Sequence, residues 1–442
     1  MKSKTPVLIL SGMILMSAFS WNNVLSYNGK NQKKFNEYIE KAEMYSSKEI
    51  YYDAAIEYNN ALKLDPKNYD LAMKLADTYM MINEKSKATE AYMDAIKADQ
   101  NQKDPYLKLY NGYMESHKYD EAYKILIRYT RIDPDDEDIT AKIIDLKGRN
   151  TLSNVKYDSI SDYHYDATTS DYYAVASMTD KEGNCLYGVI NKTGSSTIPL
   201  KYEYAGLFAE GVVPVSVDGE LFYIDKKGNR RVVPPEKTEY IGAFGNNYAP
   251  VSIDGVYGYI DRKMNEYKME YSYAGCFSNN MAAVQKDGKW AVINSKFINI
   301  TEFEFDEILV DDNGFCADYK VFWAKKDGKY SLYNSEGVKI SDEYDEVKLF
   351  VSKDPAAVKK DGKWGYVSIS GKLVVEPVYE DANSYSLGFA GFCSGGKWGC
   401  MDMDQVEIIK PEYEEFGVLT QGGLAVVEKD GARKFITINT YK

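Results

Sequence analysis

Few side chains in this 442-residue sequence could do covalent or metal chemistry. There are two histidines, His117 and His164, and five cysteines, Cys185, Cys276, Cys316, Cys393 and Cys400. A catalytic nucleophile needs a base beside it, and a zinc site needs closely spaced Cys or His ligands. No CxxC, GxSxG or HExxH string occurs, and no Gly-rich loop ends in Lys-Ser/Thr. The acidic run 133–138, DPDDED, lacks the glycine and closing glutamate of a calcium loop. It reads instead as the start of a helix, where acids favour the dipole. His117 falls between helical segments and His164 in a Tyr-rich loop, so both are expected to be structural. The cysteines are too few and too scattered for a disulfide scaffold and read as buried small apolar side chains. Cys393 and Cys400 fall on the two arms of one hairpin, where a bond depends on register. The expectation is a protein with no catalytic residues, no cofactor and no metal.

Stepping outward from these residues, the composition bounds the class. Fifty-four Lys and Arg against sixty-seven Asp and Glu leave a net charge of −13, which argues against nucleic-acid binding by clustered basic residues. A hydrophobic fraction of 44% is too high for a disordered chain. Residues 1–25 open with Met-Lys-Ser-Lys and continue with the uncharged run PVLILSGMILMSAFS. That layout is a secretory signal if cleaved near Ala18–Ser20, and a membrane anchor if retained. Either way the remainder is expected to be extracytoplasmic, secreted or anchored, and to meet a membrane only through this segment.

From residue 34 the chain repeats. Ala54, Ala88 and Ala122 stand 34 residues apart, as do Tyr45, Tyr79 and Tyr113, and Pro66, Gln100 and Pro134. The flanking strings AAIEYNNALKLDP, ATEAYMDAIKADQ and EAYKILIRYTRIDP have apolar residues at helical spacing. The pattern resembles the tetratricopeptide (TPR) repeat. It covers residues 34–149 when a capping helix with Ile139, Ile143 and Ile144 facing inward is included. Small-residue positions of the family hold Ala42, Ala76, Ala61 and Ala95, but Tyr110 and Tyr129 in the third copy, which is expected to pack more loosely. The resemblance implies a superhelix whose groove is lined by the first helix of each copy. The groove positions are Asn36, Ile39, Glu43 and Ser46, then Asp70, Met73, Asp77 and Met80, then Asp104, Leu107, Asn111 and Met114. Acids and flexible apolar chains alternate there, and the lysines of a carboxylate clamp are absent from these positions. An apolar or basic peptide or helix would suit such a surface.

From residue 151 to 442 the pattern changes to short alternating runs joined by Asp-Gly, the strongest short-range hairpin signal. AAVKKDGKWGYVSISGK, residues 356–372, is the clearest copy. Turn glycines at 219, 255, 288, 328, 362, 396 and 431, with Cys185 substituting in the first copy, define eight hairpins at about 35 residues. Each hairpin follows an aromatic or aromatic-acid signal, such as Tyr202-Glu203, Tyr344-Asp345 and Tyr379-Glu380. These residues resemble the WG (KWG) repeat, with the Trp-Gly pair intact at 364–365 and 398–399 and Lys434 read in place of the last aromatic. In KWGYV both strand faces are apolar, so neither can be left in water and neighbouring copies must cover them. Gly365 leaves a gap that a ring from the next copy could fill. The Asp-Gly turn is either a two-residue type I′ turn or a type I turn with a glycine bulge.

The predicted architecture is therefore an α + β multidomain repeat protein. A TPR superhelix precedes an all-β, propeller-like module of about eight three-stranded repeats, with an open β-solenoid as the alternative. A strand near 153–160 pairing with the last hairpin would close a ring and leave no bare edge. The expected function is a non-catalytic interaction scaffold: the helical arm takes a peptide or helix and the β module presents a protein-binding surface. The alternative is a cell-wall or surface glycan binder using the repeat-variable aromatics Tyr172, Tyr173, Tyr248 and Phe350.

Overall fold

A computed structural model describes residues 30–317 and 319–441. The expected signal or anchor at residues 1–25 lies outside the described residues. Among the described residues no helix is long and apolar enough to cross a membrane. The chain divides into two compact units at Leu146/Lys147.

The first unit is built from helices. The described part of α1 covers 30–47. It is followed by α2 (Tyr51–Leu64), α3 (Tyr69–Met81), α4 (Lys85–Ala98), α5 (Asp104–Glu115), α6 (Tyr119–Thr130) and α7 (Glu137–Gly148). These pair as α1/α2, α3/α4 and α5/α6, with α7 as the cap. The 34-residue alanines let the helices approach: Ala42, Ala54, Ala76, Ala88, Ala95 and Ala122 are all buried. The third copy is not loosened by its tyrosines. Tyr110 and Tyr129 are buried, and Tyr129 meets Tyr106 edge-on at 5.0 Å, so rings fill the space that alanines leave in the other copies. In α7 Ile139, Ile143 and Leu146 face the core while Ile144 is only half-buried. Asp136 begins this helix by accepting from the Ile139 amide at 3.0 Å and from Lys103 at 2.7 Å.

The second unit is an eight-bladed β-propeller. Blade seven shows the plan: strands Asp381–Ala382, Phe389–Ser394, Lys397–Asp402 and Glu407–Tyr413 pair in chain order, from the ring centre outward. Blades are thus mostly four-stranded, not three-stranded as the hairpins alone suggest, because in blades one, two, three, six and seven the segment after the hairpin forms an outer strand. The predicted closure is present, at a shifted place. Asn150–Asn154 pairs antiparallel with Ala432–Ile438 and becomes the outer strand of blade eight. Ser159–Ile160 is the innermost strand of blade one. Thr420 Oγ1 also donates to the Lys192 carbonyl at 2.9 Å, from blade eight to blade one.

Seven hairpins turn on two residues that both have positive φ, for example Asp361 (53°) and Gly362 (78°). Lys360 pairs directly with Lys363 across that turn. This is the type I′ turn, whose twist matches that of the flanking strands. The first hairpin departs from it: Thr179 pairs with Cys185 across a five-residue loop.

The glycine of the Trp-Gly pair has a different role from the one expected. A Cβ on Gly365 would lie 2.5 Å from the Val375 carbonyl oxygen and 2.7 Å from the Pro377 nitrogen. The gap is occupied by the backbone of the outer strand, which bulges there, and not by a ring. The same holds at Gly188 and Gly399, and at Gly258 the Met269 sulfur joins the outer-strand backbone in filling the gap; these blades carry outer strands of six or seven residues. Where the position holds Phe222, the outer strand shrinks to Arg230–Val232. Where it holds Ala291 or Ser331, isolated bridges such as Ile293↔Asn299 and Tyr333↔Lys339 remain. In blade eight the register aligns Arg433, not Lys434, with the aromatic position. Lys434 takes the glycine position, and the terminal strand pairs there without a bulge.

Rings join one blade to the next. Tyr223 meets Phe244 at 4.9 Å, Tyr259 meets Phe277 at 4.8 Å and Tyr366 meets Tyr385 at 4.6 Å, each pair crossing between blades. Such contacts contribute about 0.5–1.5 kcal/mol each beyond the area they bury.

Candidate functional site

In the helical unit the groove positions divide by environment. Glu43, Asp70, Asp77, Met80, Asp104 and Asn111 are exposed, as is Asn36. Ile39, Ser46, Leu107 and Met114 are half-buried. Met73 is buried, at 8% exposure, and belongs to the core between helices rather than to a binding surface. The expected acidic and apolar alternation also needs correction. Lys74 reaches Glu43 at 2.9 Å, and Lys108 reaches Asp77 at 3.2 Å. Acids at 43 and 77 and lysines at 74 and 108 each recur at 34 residues, so successive copies are tied by the same ion pair. These lysines stand one position beside the predicted groove positions Met73 and Leu107, so the groove pattern does not single them out. Tyr92 also donates to Asp77 at 2.6 Å, and burial together with that bond pushes its phenol up. Beside the Asp77–Lys108 pair lies a cavity of about 360 Å³ lined by Met80, Lys85, Tyr92, Lys108, Gly112 and Tyr113. A Cβ on Gly112 would meet nothing within 4 Å.

In the propeller one position on the innermost strands changes its identity around the ring. Blades two, three and four place Tyr204, Tyr240 and Tyr273 there, opposite Ser216, Ser252 and Gln285. Blades five to eight place Glu307, Glu346, Asp381 and Glu415. Lys359 pairs with Glu346 at 2.7 Å and Lys348 with Asp381 at 3.1 Å. Lys348 also lies over the rings of Trp364 (4.8 Å) and Trp398 (5.7 Å). The innermost strands are thus tyrosine-bearing on one side of the ring and acid-bearing on the other, where Lys348 also reaches Trp364 and Trp398 on the third strands of blades six and seven.

On the tyrosine-bearing side a cavity of about 400 Å³ opens between blades one, two, three and five. Tyr187, Tyr204, Tyr240, Glu203, Asp312 and Asn313 are among its lining residues. Its floor is tied across the ring: Asn313 Nδ2 donates to the Asp162 carbonyl at 3.0 Å, and Ser161 Oγ to Asn313 Oδ1 at 3.4 Å. His164, read as structural, is buried and stacks on Phe315 at 3.8 Å.

The acid that follows each outer-strand aromatic has a defined task. Glu380 accepts from the Gly396 amide at 2.9 Å, and Glu203 from the Gly219 amide at 2.9 Å. Asp345 accepts from the Asp361 amide at 3.0 Å and from Lys329. Each acid therefore ties the end of one blade to the hairpin turn of the next. The Gly219 amide and Ser216 hydroxyl hold Glu203 below the usual carboxylate range. The Gly396 amide does so for Glu380, and Lys329 for Asp345.

The aromatics expected to bind glycans are not a surface set. Tyr173 is 1% exposed and packs on Phe208 at 4.9 Å. Phe350 is 4% exposed and stacks on Trp323 at 6.1 Å. Phe208, Phe244, Phe277 and Phe350 recur in the loop after the innermost strand, so the constant ring was mistaken for a variable one. Tyr248 is embedded among Tyr267, Phe277 and Phe297, and only Tyr172 keeps an exposed neighbour, Tyr165, at 5.1 Å. Among the described residues no cysteine is in a disulfide; four are buried and Cys185 is exposed. Cys393 pairs with Trp398 and Cys400 with Gly391, so register keeps these two apart.

Six stretches of the propeller match the family model described as WG containing repeat: 187–220, 222–257, 257–290, 331–364, 364–398 and 398–431. WG repeats thus run through residues 187–431 of the propeller, and the helical unit has a TPR-like fold. Each matched stretch starts near the Trp-Gly position of one blade and ends in the hairpin of the next, so the sequence repeat is offset from the blade. Among solved structures the chain is similar to the MamA protein, at 22% identity and TM-score 0.23, over 26% of this chain and 63% of that one. It is similar to the Arabidopsis OM64 TPR domain at 18% identity and TM-score 0.23, over 26% of this chain and 97% of that one. The second TPR domain of human RPAP3, in complex with an HSP70 peptide, is similar at 15% identity and TM-score 0.23, over 26% of this chain and 98% of that one. No curated protein matches the chain.

Proposed function

We propose that this chain is a non-catalytic interaction scaffold in which the helical unit holds an extended peptide or helix and the propeller presents a second protein-binding surface. The reading includes an extracytoplasmic location, secreted or anchored through residues 1–25, which rests on the residue types of that segment. The observation that carries it is the cavity next to the Asp77–Lys108 pair, to which Met80 of the predicted groove positions contributes. It joins apolar wall (Met80, Tyr113) to charges of both signs, the mixture that orients a peptide. The test is a peptide phage-display selection on the full chain, followed by titration of the selected peptides against Lys108→Glu and Asp77→Lys chains. Binding should weaken by about tenfold in each. Equal binding to wild-type and both variants would remove the groove from the proposal.

A further inference from the structure

We propose that the cavity on the tyrosine-bearing side of the propeller is a saccharide-binding site, separate from the helical groove and from the surface aromatics considered above. Four observations converge on it. The cavity holds about 400 Å³, within the range that encloses a small ligand of disaccharide size. Its wall is plated with half-exposed rings, Tyr187, Tyr204 and Tyr240. From Tyr240 the rings continue in a row: Tyr257 at 5.9 Å, then Tyr273 at 6.1 Å, then Trp290 at 5.0 Å. Its polar lining consists of Ser159, Ser161, Asn313, Asp312 and Glu203, which offers acceptors and hydroxyl or amide donors together.

That combination fits a ring with apolar C–H faces and a rim of hydroxyls. The faces lie on tyrosine, and the hydroxyls donate to carboxylate and amide oxygens and accept from Ser and Asn. An anion is disfavoured, because Glu203 and Asp312 line the cavity and none of its described lining residues is Lys or Arg. A cationic ligand would need rings boxed around one point and a free carboxylate. Glu203 is already occupied by the Gly219 and Asp218 amides and the Ser216 hydroxyl, which leaves Asp312, and the tetramethylammonium arm of the titration decides that case. The floor is preorganised by the Asn313–Asp162 and Ser161–Asn313 bonds, which reduces what ordering costs on binding. The acid-bearing side, with Glu346–Lys359 and Asp381–Lys348, supplies a built-in comparison.

The experiment is isothermal titration of the full chain with N,N′-diacetylchitobiose and with cellobiose, up to about 10 mM, beside tetramethylammonium chloride. The expected result is one-to-one binding of at least one disaccharide. Asp312→Ala, an exposed position, should weaken it about tenfold, as should Tyr240→Leu if its near-UV circular dichroism is unchanged. Glu346→Gln, on the acid-bearing side, should leave it unchanged. The proposal is overturned if neither disaccharide gives heat, if tetramethylammonium alone binds, or if Asp312→Ala binds the disaccharide as well as wild type.

Discussion

Tyr259 and Tyr366 occupy the same position in blades three and six, and both side chains are fully buried. Each ring packs on the loop aromatic of the following blade, Phe277 at 4.8 Å and Tyr385 at 4.6 Å. Their hydroxyls differ. Tyr259 donates to the Gly275 carbonyl at 3.0 Å, whereas the Tyr366 hydroxyl is buried with no hydrogen-bond partner among the described residues. Replacing Tyr259 by Phe keeps the ring and removes a made bond, which costs about 1–2 kcal/mol. Replacing Tyr366 by Phe removes an unpaired polar atom from the interior, and stability should rise by about 1 kcal/mol. The two variants should therefore separate by about 2 kcal/mol, roughly a thirtyfold difference in the folding equilibrium. Urea unfolding followed by tryptophan fluorescence reads this well, because Trp290, Trp323, Trp364 and Trp398 all lie in the propeller. The comparison is of midpoints at unchanged slope. Tyr223→Phe supplies the internal replicate, since its hydroxyl donates to the Gly242 carbonyl at 2.8 Å. If Tyr366→Phe loses as much stability as the other two, the account of these hydroxyls as chemically distinct fails.

Two more perturbations probe the blade joints. Gly365→Ala should destabilise the propeller by about 2 kcal/mol or more, because the new methyl meets outer-strand backbone that cannot give way; a midpoint within error of wild type would show that the outer strand yields freely. Glu203, Asp345 and Glu380 are held below their ordinary pKa in the folded chain, so the stability they contribute is complete above the normal carboxylate range and is lost as pH falls through it; Glu203→Gln/Glu380→Gln should flatten the decline of the melting temperature between about pH 5 and 3, and an unaltered slope would contradict the role of these acids.

What was legible in the sequence was whatever repeats. The alanines at 34-residue spacing and the Asp-Gly turns announce themselves because one physical demand recurs in every copy: close helix approach in one case, two positive φ angles in the other. The edge argument anticipated ring closure, since an unpaired strand at each end would be costly. What escaped notice was the partner of each demand. Gly365 reads as a vacancy until the bulged strand behind it is seen, because that strand's path depends on register. The turn-capping acids follow the aromatic in sequence yet serve the next hairpin about 15 residues on, a pairing that no local window displays. Lys74 and Lys108 were missed because helix rotation, not spacing, decides which neighbouring position faces the groove. Phe350 lies in a loop after an innermost strand, where loops of unequal length hide its constancy, and Tyr173 lies in the strand Asp171–Thr179, where its burial depends on Phe208 of the next blade.

The strand 150–154 finds its partner 280 residues further along the chain. During synthesis it must wait until nearly the whole propeller has left the ribosome, and the seam is the last pairing the propeller's strands can make. The entropy of joining such distant segments grows only slowly with the length between them. The penalty for delay is kinetic: a nascent chain carries two unsatisfied edges throughout its assembly, and a truncated product carries them permanently. Loss of even the final hairpin would leave not a seven-bladed relative but an open, self-adhesive sheet stack.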